Sequence, residues 1–87
     1  GILCPGFVNT HCHLELSWAK GLIPEGLGLD SFVRKLEMSR KEVPQISIQR
    51  AIENAAIQME QCGIVATADI VNGKNTLYFK NTSSHWI

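Results

Sequence analysis

Residues 47 to 71 constrain the fold more than any other stretch of this chain. Ile48, Ala51, Ile52, Ala55, Met59 and Cys62 follow the i, i+3, i+4, i+7 spacing of one helical face, and Gln49, Arg50, Glu53, Glu60 and Gln61 take the other. Ser47 is placed to cap this helix, and Gly63 to end it at the C′ position. The run from Ile64 to Val71 that follows is rich in β-branched residues and lacks clean alternation. A strand covered on both faces reads that way, which favours a parallel sheet flanked by helices. The one-sided helix in turn needs a sheet to lie on.

The N-terminal part supplies a partner strand. Phe7-Val8-Asn9-Thr10-His11-Cys12-His13-Leu14 reads as a buried strand with polar residues at its far end, entered through the turn-forming Pro5-Gly6. From Lys20 to Leu29, Gly21, Pro24, Gly26 and Gly28 block both helix and strand, so this is a loop. Asp30 or Ser31 offers an N-cap for a helix with Leu29, Phe32, Val33 and Leu36 on one face, running to about Lys41 and stopping before Pro44. Strand, loop, helix, helix and strand form a crossover unit, which is right-handed and makes the two strands parallel. Asn72-Gly73 also suits a hairpin with Thr76 to Phe79, which leaves a meander open.

Composition narrows the function classes. The chain has 87 residues, 45% of them hydrophobic, too apolar for a disordered tail. Eight Lys plus Arg balance eight Asp plus Glu, so no basic surplus exists to neutralise a phosphate backbone, and a nucleic-acid partner is not expected. Arg34, Lys35, Arg40 and Lys41, interspersed with Glu37 and Glu42, read as a solvated helix face. No run reaches the roughly 18–20 apolar residues of a membrane span, and no signal peptide is recognisable. Cys4, Cys12 and Cys62 are odd in number and match no CxxC pattern, which favours a reducing compartment, and the expected location is the cytoplasm. The sequon Asn81-Thr82-Ser83 is then a chance triplet. A domain of this size buries only about 60–65% of its unfolded surface. With apolar residues at both ends and Gly at position 1, residues 1–87 read as a single partial domain from a longer protein.

His11-Cys12-His13 is the motif that carries chemistry. Residues two apart on a strand point to the same side, about 6.6 Å apart along the chain, so two imidazoles can converge on one ion while Cys12 points the other way and packs. Spacing alone also allows one histidine in the core and one lining a surface. At the C-terminal end of a parallel strand, before a glycine-rich loop, the pair sits where barrel enzymes keep their functional groups. Glu15, two residues past His13, either hydrogen-bonds a substrate or orients an imidazole, against a loop carboxylate in water. Asp69 fits a structural hydrogen bond to loop backbone, and Trp18 fits packing with Leu16 and Leu22.

Pro5-Gly6-Phe7-Val8-Asn9-Thr10-His11-Cys12-His13-Leu14-Glu15 resembles the first-strand signature of the amidohydrolase superfamily. The nearest branch is that of cytosine and guanine deaminases, chlorohydrolases and aminodeoxyfutalosine deaminases. Gly21-Leu22-Ile23-Pro24, Gly28-Leu29 and Gly63-Ile64-Val65-Ala66-Thr67 resemble it as well, so the likeness spans roughly residues 1–71, with specificity in the first fifteen. The resemblance implies an α/β fold that is part of a (β/α)8 TIM barrel. It implies one divalent metal ion, zinc or iron, with His11 and His13 as two of its ligands, and a third histidine and an aspartate from later strands. It further implies hydrolysis of C–N or C–Cl bonds of a small-molecule substrate by metal-activated water, such as deamination of a purine-like, pyrimidine-like or nucleoside substrate. His85 matches no ligand of the family, and this stretch alone carries no complete catalytic set. The open pairing edges of two strands lead us to expect a homo-oligomer. A small non-enzymatic metal-binding or interaction module is the alternative.

Overall fold

Parallel pairing of two short strands organises the chain. The computed structural model describes residues 1–74, 76 and 77. Strand β1 (Phe7–Cys12) is followed by a 3-10 helix (Leu14–Ala19), a loop, helix α1 (Leu29–Arg40), helix α2 (Gln45–Gln61) and strand β2 (Ile64–Asp69). β1 lies parallel to β2, with Phe7 opposite Ile64, Val8 opposite Ala66, Asn9 opposite Thr67 and Cys12 opposite Asp69, and register shifts between these pairs. The pairing is bracketed by Phe7 N–H donating to Gly63 O at 2.9 Å and Ile70 N–H donating to Cys12 O at 2.7 Å. The chain is thus an α/β unit of two parallel strands joined through two helices. Among the described residues no helix is long and apolar enough to cross a membrane.

The first strand is shorter than its apolar run suggested. It ends at Cys12, and Leu14 already begins the 3-10 helix, so His13 sits in the junction between them. Phe7 and Val8 are exposed, and along β2 only Thr67 is fully buried. The expectation of strands covered on both faces is therefore corrected. The cause lies in α2, whose buried face packs mainly on the 3-10 helix, leaving the sheet thinly covered.

The core joins Leu14 and Trp18 of the 3-10 helix to Ile48 and Ile52 of α2, with Cys12, Leu36, Val43, Ala51, Ala55 and Met59 packed around them. The apolar stripe expected on α2 is thus the buried one, except that Cys62 is exposed and Ala56, outside the stripe, is buried. Helix α1 buries no residue fully.

Both expected helix caps are corrected. Gly28 stands at the start of α1, its carbonyl accepting Phe32 N–H at 3.0 Å, so Asp30 falls in the first turn, where its charge still favours the positive helix end. Pro44 precedes α2, and its carbonyl accepts the N–H groups of Ser47 and Ile48 at 3.0 and 3.2 Å. Proline has no N–H to leave unsatisfied there, so the helix starts two residues before Ser47. Gly63 ends α2 as expected, at φ 84, a conformation in which a side chain would be strained. Gly6 is required for another reason: a Cβ there would collide with the side chain of Val65 on the neighbouring strand. The hairpin alternative reaches Tyr78 and Phe79, which lie outside the described residues, as do the sequon at 81–83 and His85.

Because Ile52 is fully buried while Ile57 of the same helix is 48% exposed, their truncations should differ. Ile52→Ala is expected to destabilise the chain by about 2–5 kcal/mol and Ile57→Ala by about 0.5 kcal/mol, measured by urea denaturation.

Candidate functional site

The C-terminal ends of the two strands are stitched together by three contacts within a few residues. Ile70 N–H binds Cys12 O, Leu14 N–H donates to Asp69 Oδ1 at 2.8 Å, and His13 Nδ1 lies 3.0 Å from Ile70 O. Asp69 thus holds the backbone of the loop leaving β1, the role expected for it. Its carboxylate fixes the start of the 3-10 helix, and with it the turn that carries His13.

His11 and His13 converge. Their Nε2 atoms are 3.1 Å apart, with ring centroids at 4.9 Å and planes at 73°. A carbonyl oxygen can only accept, so His13 must donate from Nδ1 to Ile70 O, which leaves its Nε2 lone pair bare when the ring is neutral. The short contact then makes His11 Nε2–H the donor to His13 Nε2. Asn9 Oδ1 accepts the backbone N–H of His11 at 3.2 Å, which further fixes the strand end. Both rings are exposed, open to a ligand from solvent. Cys12, between them, packs against the core as expected.

This donor set fits a metal ion. Two imidazole nitrogens bound to one tetrahedral cation at about 2.0–2.1 Å stand about 3.3 Å apart, close to the 3.1 Å observed. The Nδ1–H bond of His13 to a backbone carbonyl is the contact by which metal-bound imidazoles are commonly oriented. Among the described residues no group of three or more His, Cys, Asp or Glu is close enough to hold an ion.

Glu15 lies elsewhere. It is 1% exposed, within the 3-10 helix, and its Oε1 accepts Asn72 N–H at 2.9 Å from the segment after β2. Its Oε2 stands 3.7 Å from Arg40 Nη2. The carboxylate is thus no solvated loop group, and neither hydrogen bond nor ion pair links it to His11 or His13. Arg40, expected on a solvated face, turns half-buried toward Glu15, which corrects that expectation for this residue while Arg34, Lys35 and Lys41 are exposed. Its position at the last turn of α1 carries no sequence signal; the burial of Glu15 creates the attraction. Trp18 is a core residue, and its buried Nε1 has no hydrogen-bond partner among the described residues.

No family model, curated protein or solved structure matches this chain.

Asp69→Ala removes the acceptor of Leu14 N–H and is expected to cost about 1–3 kcal/mol. In the unsubstituted chain, long-range 15N–1H spectra at neutral pH should show His13 protonated at Nδ1 and His11 at Nε2. Asp69→Ala should blur that tautomer preference, because the His13 turn loses its anchor.

Proposed function

We propose that this chain contributes the first two strands of a metal-dependent amidohydrolase barrel, in which His11 and His13 hold a divalent cation, zinc or iron. The observation that carries the reading is the 3.1 Å approach of the two Nε2 atoms at the C-terminal ends of parallel strands, with His13 oriented through Ile70 O. The first-strand likeness of residues 5–15 supports it. When bound, such a cation supplies Lewis acidity that brings the pKa of water toward neutrality. The reaction class is hydrolysis of a C–N or C–Cl bond at an electron-poor carbon, with deamination of a purine-like or pyrimidine-like ring as the leading case.

The residues present divide the work. Before its Nε2 can act as a ligand, His11 moves its proton to Nδ1, exchanging it through solvent so that the ring stays neutral, whereas His13 is already in the required tautomer. Asp69 keeps the His13 turn in place through Leu14 N–H. Glu15 offers a buried carboxylate to a hydrogen-bond donor on the substrate. A zinc centre that does chemistry needs at least one more protein ligand, so turnover belongs to the barrel that the two strands help build. We place that protein in the cytoplasm, acting on a small molecule, as a homo-oligomer.

Zinc titration of the chain, followed through the histidine 15N resonances, tests the reading. Zinc should shift both Nε2 signals together, and His11→Ala or His13→Ala should weaken binding at least about tenfold. Equal zinc affinity in His11→Ala and the unsubstituted chain would sink the site.

A further inference from the structure

A second polar centre lies between α1 and the loop after β2. Glu15, Val33, Leu36, Glu37, Arg40 and Asn72 line a cleft of about 290 Å³. Its floor holds an unusual group. Glu15 is 1% exposed, yet among the described residues its Oε2 accepts no hydrogen bond, and Arg40 Nη2 stands at 3.7 Å. A charge-assisted bond to guanidinium closes to about 2.7–2.9 Å, so Arg40 neutralises the carboxylate only loosely. Burying a carboxylate oxygen without a donor is costly, and such a group calls for one.

The oxygen is covered in this arrangement, so an outside donor reaches it as Arg40 moves aside. Gly73 passes close by, where a Cβ would sit 3.3 Å from Glu15 Oε2 and 3.6 Å from Arg40 Nη2, so the glycine avoids crowding the oxygen. Two carboxyl groups, Glu15 and Glu37, line the cleft beside one guanidinium, Arg40. Val33 and Leu36 supply apolar walls. The two carboxylates and these walls suit a planar or compact apolar group ending in a positively charged nitrogen.

We propose that this cleft is a binding subsite for an amidinium or ammonium group, with Glu15 Oε2 accepting its N–H. Arg40 is the competing internal cation that such a ligand displaces. The inference rests on the substrate role proposed for Glu15 and is independent of metal at His11 and His13. It names the chemistry of the ligand: a cationic nitrogen on an apolar body, not an anion.

Benzamidine is the probe, with benzyl alcohol and benzoate as the neutral and anionic counterparts, each titrated into the full chain and followed by 15N–1H NMR. Benzamidine should shift the amide signals of Asn72 and Gly73 saturably, while benzyl alcohol and benzoate should bind at least tenfold more weakly. Arg40→Gln, which removes the competing cation, should tighten benzamidine binding several-fold. Glu15→Gln retains an acceptor for Asn72 N–H and should lose most of the binding. His11→Ala should leave benzamidine binding unchanged while it weakens zinc binding, so the cleft and the metal reading fail separately. Binding of benzoate in preference to benzamidine, or a loss of benzamidine binding in Arg40→Gln, would overturn the proposal. So would the absence of any saturable shift, which would mean that Arg40 alone completes Glu15. The Arg40 variant and the ligand series decide the matter even where Glu15→Gln perturbs folding.

Discussion

The parallel ladder between β1 and β2 holds together parts of the chain that have no other reason to meet. Parallel strands cannot be joined by a tight turn, so the ladder forces the loop, α1 and α2 into a crossover. Its last bond, Ile70 N–H to Cys12 O, is flanked by the bonds from Leu14 to Asp69 and from His13 to Ile70. These three contacts share a few residues on each strand. A slip of one position would turn the side chains over and part His13 from Ile70. The convergence of the two imidazoles is therefore a property of strand register as much as of the histidines themselves.

The apolar core is built beside the sheet. Leu14 and Trp18 against Ile48 and Ile52 form a small cluster under the 3-10 helix, while α1 touches it only through partly buried Leu36. Stability is then uneven, with α2 and the 3-10 helix as the firm part and α1 as a loosely seated neighbour. The Glu15–Arg40 approach crosses the seam between the two.

Much of this was legible in the residues. The periodicity of 48 to 59 located the buried face of α2, Gly63 its end, and the β-branched run the second strand, because each rests on local pattern. The parallel sense followed from the crossover. The likeness of the HxH stretch to a strand end located the converging pair, and Asp69 its backbone anchor. What local pattern could not show was depth. Phe7 and Val8 are apolar but uncovered, since burial depends on which element lies across a strand. The caps were misplaced because Gly28 and Pro44 open the helices by backbone conformation, whereas Asp30 and Ser47 advertise themselves by side chain. Arg40 looked like its solvated neighbours because the carboxylate it faces is 25 positions away in the sequence, buried by packing that no spacing rule records.

The stitch between His13 and Ile70 spans 57 positions, which makes it expensive to close and late to form. Yet loop-closure entropy grows only logarithmically, so doubling the length of a flexible connection adds only about 0.6 kcal/mol. The glycine-rich segment from Lys20 to Gly28, which belongs to neither strand nor helix, is then the place where descendants of this sequence can gain or lose residues. Its length can drift while both histidines stay where they are, leaving the rim around them open to revision.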